Sequence, residues 1–579
     1  MKRWTLTAPL LLALLGAPSA AQADGAAPGN ILIVLVDDLG KEWLSMYGVG
    51  SAPANTPNLD ALAANGVTFN NAWSTPMCSP TRAAIQTGRY GFRTGVGHLV
   101  SPSYGLPLDE VTLPEMIELG TGGQYLNSYV GKWHLGSEEV GGFLAPNMAG
   151  WQHFGGLSPF AGSLLEGEDY FQWTKVSDGT VGVVNEYVTS HNIDDAISVI
   201  QIWPDPWLLF VSLVSVHNPY HAPPPSLHGV DLSGAGDPEV DTEPYYRAMI
   251  EAMDAEIGRL INVVDFGTTT LIFVADNGSS FQTVFPPFDP LHGKNSLFEG
   301  GISVPMIVRG PDVTQPGSIC DGLVNVTDVF ATAADLADVD LAATLPGVEL
   351  DSVSFRPYLS DPALPSLRDW IFAEHFQPNG PRGGPLAPKG PSEVCQPDLG
   401  FGGPGTATLS FCGPPLVEYA LPDLVLTGAQ PFSPTFFAVS TALDPIPFFG
   451  GTLATNPVAL LLPFDADENG EVRSDNLTVP SPGPITLFVQ GGALDPSAPL
   501  GVTFTNAIQA DFLPWDTKAI RNERWKLIAD VHAGWHRLYD LETDPLEVND
   551  LIAAGPLDPV QQAAYDSLLQ DLIALVDAP

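Results

Sequence analysis

Basic residues are scarce in this chain. It has 22 Lys and Arg against 66 Asp and Glu among 579 residues, which gives a formal net charge of −44. A protein this acidic repels phosphate polyanions, so binding of nucleic acid or of an anionic membrane is excluded as its main function. Hydrophobic residues make up 45% of the chain, enough to bury a large core, which excludes disorder throughout.

Cysteine is also rare, with four residues in the sequence: Cys78, Cys320, Cys395 and Cys412. So few cysteines exclude a scaffold built on disulfides. Cys395 and Cys412 flank a segment rich in Gly and Pro and could pair, although the pattern alone leaves this open. Cys78 stands in a far more specific sequence context than the other three.

Apolar runs long enough to span a bilayer are absent from the sequence, because a spanning helix needs about 20 apolar residues. The longest candidate is near the start, where Lys2 and Arg3 precede a short apolar stretch that ends in the small-residue sequence Ala21-Gln22-Ala23. This pattern predicts a signal peptide over residues 1–23. We therefore expect a secreted or periplasmic protein with no membrane span.

Buried strands alternate with amphipathic helices through the first two thirds of the chain. Ile31 to Val36 is an unbroken apolar run, typical of a strand buried on both faces. A helical pattern begins at Thr56-Pro57 and ends at Gly66, and a strand pattern follows it. The same alternation recurs over residues 208–275, so the sequence predicts an α/β fold with a large, mainly parallel sheet flanked by helices.

The alternation of strand and helix patterns ends at about residue 377, and the change predicts separate domains. We expect the main domain over residues 24–377 and a linker loop rich in Gly and Pro over 378–420. Short apolar pieces separated by turn residues then predict an inserted all-β module over 421–510. Residues 511–579, which end in a helical pattern, would form a C-terminal subdomain.

Acidic side chains follow two of the predicted buried strands. Asp37-Asp38 comes after the first, and Asp276-Asn277-Gly278 comes after a later one. Either group alone is typical of an ordinary turn. Together, at the carboxyl edge of one sheet, their oxygens are the ligands that a hard divalent cation needs, which favours calcium or magnesium over zinc.

The most specific segment is Cys78-Ser79-Pro80-Thr81-Arg82, followed by Thr87-Gly88-Arg89. It resembles the signature of the formylglycine-dependent sulfatase family, and further segments match that family in order: 30–40, 56–73, 131–136, 217–219, 276–278, 293–305, 524–528 and 538–545. Within the family, Pro107 to Glu110 leading into 130–134 looks most similar to the arylsulfatase B branch. Ser303 departs from the pattern, because relatives often carry Arg at this position.

The resemblance implies an alkaline phosphatase-like fold with a smaller C-terminal antiparallel sheet and helix. It implies that a formylglycine-generating maturation enzyme converts Cys78 into formylglycine, whose hydrated aldehyde attacks the sulfate ester. One calcium ion (Ca2+) would be held by five residues: Asp37, Asp38, Cys78, Asp276 and Asn277. Arg82 would hold the modified residue, Lys132 and Lys294 would bind sulfate, and His134 and His217 would handle protons.

This chemistry also agrees with the residue types. A sulfate ester is anionic, so a nucleophile can approach it only where cations neutralise its charge. A serine or cysteine nucleophile would end as a stable sulfated residue, whereas a geminal diol keeps a second hydroxyl that can expel sulfate. His221, His292 and His375 are given no catalytic role.

Two alternatives to a sulfuric ester hydrolase remain open from the sequence. The first is a phosphate or phosphonate ester hydrolase of the same superfamily, and the second is a non-catalytic, calcium-stabilised binding protein in which Cys78 stays a thiol. For a sulfatase, we expect a sulfated small molecule or carbohydrate as substrate. The high negative charge favours short or sparsely sulfated substrates.

Overall fold

The computed structural model describes residues 29–577, apart from residues 381–393, 404, 414–422, 449–450, 456, 475–484, 499 and 513–514. The predicted signal peptide lies outside the described residues. In the described ranges, we find no helix with the length and apolar character needed to cross a membrane.

One large sheet forms the centre of the molecule. Its strands are β1 (Asn30–Val36), β2 (Val67–Trp73), β3 (Leu126–Gly131), β4 (His153–Gly156), β5 (Trp173–Ser177), β6 (Thr180–Val184), β7 (Trp207–Ser212), β8 (Thr269–Ala275), β9 (Met306–Arg309) and β10 (Ser318–Asn325). Their order is β10-β2-β9-β8-β1-β7-β3-β4-β5-β6, in which β9 and β5 run antiparallel to their neighbours. The mainly parallel sheet predicted from the sequence is confirmed.

Helices accompany this sheet in two groups. The α-helices are α1 (Pro57–Ala64), α2 (Cys78–Thr87), α3 (Gly91–Thr94), α4 (Leu113–Thr121), α5 (Ala145–Met148), α6 (Val188–Ile202), α7 (Thr242–Ile261), α8 (Glu299–Ile302), α9 (Asp328–Leu336), α10 (Leu341–Thr344) and α11 (Arg356–Ser360). Short 3₁₀ helices cover Lys41–Trp43, Ser45–Tyr47, Gly142–Leu144 and Pro290–His292. Helices α1 and α6 contact α7, while α2, α4 and α9 contact one another.

The strand β1 is the central strand of the sheet because it is apolar on both faces. It pairs in parallel with β8 on one side and with β7 on the other, so that Ile33 lies opposite Ile272 and Phe210. All its residues are buried. The carboxyl ends of these three strands therefore meet at one edge, from which the loops of the candidate site leave.

The remaining strands form smaller antiparallel sheets. They are β11 (Ile371–Gln377), β12 (Val394–Cys395), β13 (Asp398–Gly400), β14 (Thr408–Gly413), β15 (Asp423–Thr427), β16 (Pro434–Ser440), β17 (Ile446–Phe448), β18 (Gly451–Leu453), β19 (Leu460–Asp465), β20 (Val472–Ser474), β21 (Ile485–Leu494), β22 (Val502–Phe512), β23 (Trp515–Arg521), β24 (Trp525–Asp530) and β25 (His536–Asp540). The order β11-β23-β24-β25 forms the C-terminal sheet. The last helix, α12 (Pro559–Val576), packs against it through Leu568 and Leu572.

The strands of the predicted inserted module form the sheets β12-β14-β15-β20 and β13-β22-β21-β16-β19, with the two-stranded ribbon β17-β18. Leu426, Phe437 and Ile508 belong to its shared apolar core. Here the structure differs from the predicted linker over 378–420, because β12, β13 and β14 lie within it and pair with strands of the module. The Cys395–Cys412 disulfide joins β12 to β14.

Candidate active site

Two acidic loops lie side by side at the carboxyl edge of the large sheet. Asp37 and Asp38 follow β1, and Asp276 and Asn277 follow the neighbouring strand β8. The backbone N–H of Asp38 donates to Oδ1 of Asp276 at 3.2 Å, and the side-chain amide of Asn277 donates to Oδ1 of Asp38 at 2.7 Å. The parallel register of the two strands thus brings together four residues that are far apart in the sequence.

Gly278 allows a third loop to approach these residues. Its N–H donates to the carbonyl of Gly301 at 2.9 Å, and a Cβ at Gly278 would lie 1.8 Å from the carbonyl oxygen of Gly300. A side chain here would therefore force the two loops apart. The Asp-Asn-Gly sequence is not a hairpin turn in this protein, but a docking point for the segment that carries Lys294.

Cys78 and Arg82 occupy the first turns of α2. They are four residues apart, so both side chains lie on the same face of the helix. The fully buried Arg82 guanidinium forms ion pairs with Asp276 at 2.7 Å and with Asp37 at 3.3 Å. It also donates to the Lys132 carbonyl at 2.8 Å, so one side chain joins loops that follow β1, β3 and β8.

Two lysines complete the cationic part of the site. Lys132, which follows β3 and is fully buried, forms an ion pair with Asp37. Lys294 contacts Oδ1 of Asp38 at 2.5 Å and Sγ of Cys78 at 3.5 Å. The two lysines and Arg82 carry three positive charges, which equal the three negative charges of Asp37, Asp38 and Asp276. A divalent cation bound here would therefore leave the site with a net positive charge. Such a site favours an anionic ligand.

Both predicted histidines lie in this cluster in neutral form. Burial lowers the pKa of His134 well below its ordinary value, and burial followed by the charge of Lys294 lowers the pKa of His217 to about 4. Nδ1 of His217 contacts the Asn218 carbonyl at 2.8 Å, and its Nε2 lies 3.8 Å from Asp38. At neutral pH both rings are therefore free to accept a proton. His217 can donate a proton only when its pKa is higher, and an anion bound beside Lys294 would raise that pKa by offsetting the charge of the lysine.

The Cys78 thiol is 1% exposed. Burial raises the pKa of Cys78 to about 11, and Lys132 and Lys294 only partly oppose this effect. An unmodified Cys78 is therefore a protonated thiol at neutral pH. A protonated thiol is a poor nucleophile.

The acidic cluster fits a hard metal ion. Asp37, Asp38, Cys78 and His217 each offer a ligand atom, and these atoms all lie within 4.8 Å of one another. Oδ1 of Asp37 and Oδ1 of Asn277 are buried, and neither has a hydrogen-bond partner among the residues that the structure describes. Such orphaned acceptors are costly, and a cation that takes oxygen ligands would satisfy both.

Sequence reasoning missed several residues that support this cluster. Oγ1 of Thr81 donates to the Asp276 carbonyl at 2.6 Å, and the Tyr129 hydroxyl donates to the Lys132 carbonyl at 2.7 Å. Ser212 contacts the Arg82 guanidinium at 2.5 Å. These residues lie inside buried strands or helices, where the sequence pattern indicates only core packing.

The structure explains Ser303, the residue that departs from the family pattern, and two histidines that were given no catalytic role. At the unusual position Ser303, Nζ of the buried Lys41 donates to its Oγ at 2.8 Å. The ammonium group of Lys41 thus lies where relatives often carry an arginine side chain. His221 packs on Tyr170 at 4.1 Å, and His292 stacks on Phe298 at 3.6 Å between ring centroids.

Comparisons with known proteins agree with this geometry. The sulfatase family model matches residues 29–339. Bovine arylsulfatase A is 31% identical over 62% of this chain and 71% of its own length, and pig N-acetylgalactosamine-6-sulfatase is 30% identical over 58% and 67%. The solved structure of Ps i-CgsB in complex with k-i-k-neocarrahexaose has a TM-score of 0.59 at 18% identity and covers 95% of this chain and 93% of that one.

These similarities extend over several sulfatases and do not single out the arylsulfatase B branch that the motifs suggested. The family match nevertheless covers more than half of the sequence and includes both acidic loops, α2 and the loops of both lysines. The chain therefore belongs to the sulfatase family of enzymes.

Proposed function

We propose that this protein is a secreted, calcium-dependent sulfuric ester hydrolase that removes sulfate from a carbohydrate sulfate through formylglycine at position 78. The observation that carries the proposal is the position of Cys78, with Lys294 at 3.5 Å and a ligand atom of Asp37, Asp38 and His217 within 4.8 Å. Residues 1–23 would direct export, and a maturation enzyme would convert Cys78. Relatives named for an amino-sugar sulfate or solved with a carrageenan oligosaccharide support a carbohydrate substrate.

The metal would be held by Asp37, Asp38, Asn277 and the modified residue 78. When bound, the cation supplies positive charge that neutralises the sulfate ester in a buried site. Asp276 is also a proposed ligand, and its ion pair with Arg82 fixes the orientation of that carboxylate. Arg82 in turn holds the start of α2 against the ends of the strands.

Formylglycine supplies a geminal diol, of which one hydroxyl attacks sulfur and the other allows sulfate to leave. Lys132 and Lys294 would bind and orient the sulfate oxygens. His134, whose Nδ1 has no hydrogen-bond partner in the described part of the chain, would accept the proton of the second hydroxyl. His217 would deliver a proton to the leaving alcohol once the bound anion offsets the charge of Lys294.

An assay with matched aryl esters tests the reaction class. We expect purified protein to hydrolyse 4-nitrophenyl sulfate with a kcat/KM more than about tenfold above that for 4-nitrophenyl phosphate. The surplus charge of the site suits either anion, so this comparison separates the two reactions. A preference for the phosphate ester would establish the alternative phosphohydrolase function and contradict the proposal.

Removal of the cation should destabilise the protein as well as inactivate it. With a chelator such as EGTA, Asp37 and Asp38 lose a neutralising partner, and a ligand present at 100 times its Kd contributes about 2.7 kcal/mol to stability. We expect the thermal unfolding midpoint to fall by several degrees and to recover with added calcium. If protein shown to be metal-free unfolds at the same temperature as calcium-loaded protein, the proposed calcium site is wrong.

A further inference from the structure

A loop beside Cys78 has no part in the chemistry proposed above. Residues 97–100 pass the start of α2, where the backbone N–H of Val100 donates to Oγ of Ser79 at 3.3 Å. The side chain of Asn379 accepts from the backbone N–H of His98 at 2.9 Å and donates to the Leu99 carbonyl at 2.8 Å. This loop is therefore held by Asn379 on one side and lies against Ser79, the residue that follows Cys78 in α2.

His98 is the outer ring of an aromatic stack. Its ring lies parallel to that of His375, at 5.1 Å between centroids, and His375 contacts Trp515 at 4.4 Å. His375 is 1% exposed, whereas His98 is half-buried. Within the part of the chain that the structure describes, neither ring nitrogen of His98 has a hydrogen-bond partner.

The stack is also linked to the sulfate-binding side of the site. Asn295, which follows Lys294, donates its backbone N–H to the Pro76 carbonyl at 2.9 Å, and its backbone lies against the His375 ring. Oδ1 of Asn295 is buried, and no described residue forms a hydrogen bond with it. A chain of contacts thus leads from Asn295, which follows Lys294, to His375 and from there to His98.

The inserted module begins at the same place. Strands β11 and β23 pair antiparallel with Gln377 opposite Trp515, so the end of β11 and the start of β23 lie side by side in the C-terminal sheet. Trp515, which contacts His375, is the first residue of β23. Asn379, which binds the loop of His98, lies two residues after the end of β11. The chain that follows β11 therefore lies beside the loop of His98, which contacts α2 next to Cys78.

We propose that His98 binds the sugar ring of the leaving group, and that the base of the inserted module forms the adjoining wall of this saccharide subsite. This inference rests on the proposed sulfatase function. Burial keeps the pKa of His98 near 4, so its ring is neutral and offers one donor and one acceptor. Sugar hydroxyls form hydrogen bonds with a donor and with an acceptor, whereas the ring of an aryl sulfate forms neither kind of hydrogen bond.

Substrate selectivity of a His98→Ala variant tests the subsite. The substrates are N-acetylgalactosamine 6-sulfate, N-acetylgalactosamine 4-sulfate and glucosamine 6-sulfate, each compared with 4-nitrophenyl sulfate. We expect the variant to raise KM for the preferred sugar sulfate so that its kcat/KM, relative to that for the aryl ester, falls about tenfold. His98→Asn, which keeps a donor and an acceptor, should recover most of this selectivity.

His153→Ala is the matched control, because His153 is an exposed histidine on β4 that pairs with Asp178; it should leave the selectivity unchanged. An equal loss on sugar and aryl esters by His98→Ala, with a lowered unfolding midpoint, would show a purely structural role and overturn the subsite. Wild-type protein that hydrolyses the aryl ester but no sugar sulfate also overturns it. Inactivity on every sulfate would instead contradict the proposed function on which the subsite rests.

Discussion

Replacing Cys78 by alanine is expected to lower the turnover of 4-nitrophenyl sulfate on the order of 10⁶-fold, because it removes the residue proposed to become the nucleophile. The fold should persist. The change deletes one sulfur atom and its 3.5 Å contact with Lys294, which corresponds to a loss of about 1 kcal/mol in the free energy of unfolding. Steady-state kinetics and thermal unfolding measure the two effects separately.

A serine at position 78 separates the formylglycine mechanism from a simple nucleophile. Cys78→Ser keeps a hydroxyl but not the aldehyde, so we expect at most one equivalent of released alcohol and no second turnover. Mass spectrometry of the wild-type peptide should show the aldehyde at this position. Turnover by Cys78→Ala near the wild-type rate, or an unmodified thiol in active wild-type protein, would contradict the mechanism.

A buried ion cluster joins the C-terminal sheet to the segment that carries Lys294. Lys526 on β24 is fully buried and contacts Glu299 at 3.1 Å and Glu547 at 2.7 Å. Arg521 adds a contact with Glu299 at 3.4 Å. Burial alone would raise the pKa of Glu299, but Lys526 and Arg521 outweigh it and hold that pKa well below its ordinary value.

Lys526→Met should therefore be strongly destabilising. It leaves two buried carboxylates without their shared cation, and breaking a buried ion pair in this way costs about 3–5 kcal/mol. Burial raises the pKa of Glu547 to about 7, so lowering the pH from 8 to 6 should protonate it and reduce the loss of stability. Chemical denaturation of wild-type and variant protein at several pH values measures both effects.

Arg524→Met provides the control for this prediction. Arg524 forms a two-bonded ion pair with Asp540 at 2.9 and 2.8 Å, but its side chain is 45% exposed. Solvent screens such a pair, so we expect a much smaller loss of stability. If Arg524→Met lowers the free energy of unfolding as much as Lys526→Met does, burial is not what makes Lys526 stabilising.

Much of the fold was predictable because local pattern and tertiary environment agree. The apolar run of β1 allowed only a strand buried on both faces, and the structure places it between β7 and β8. The helix expected within the alternation over residues 208–275 corresponds to α7, which spans Thr242–Ile261. The linker prediction was wrong over residues 394–413, where the pairing partners that stabilise short strands lie up to about a hundred residues away, as for β13 and β22.

The site was predictable where its chemistry follows from residue type. The spacing of Cys78 and Arg82 places both on one helix face, and acidic residues after two buried strands indicate a shared sheet edge. Local sequence could not reveal that Ser212 contacts Arg82, since a serine at the end of a buried strand has no distinctive pattern. The same holds for Lys41, which reaches Ser303 across more than two hundred residues of chain.

The sequence by itself determined the fold class and the sulfatase family, and it named Cys78 and the acidic residues as candidates for the site, because these depend on periodicity and on short motifs. Only the tertiary structure decided which charged groups pair, and that burial lowers the pKa of His134 and of His217. It also decided that the end of β11 lies beside the loop of His98. Charge pairing and burial depend on distances between distant segments, and the register of β11 with β23 is what brings Trp515 to His375 and hence to His98.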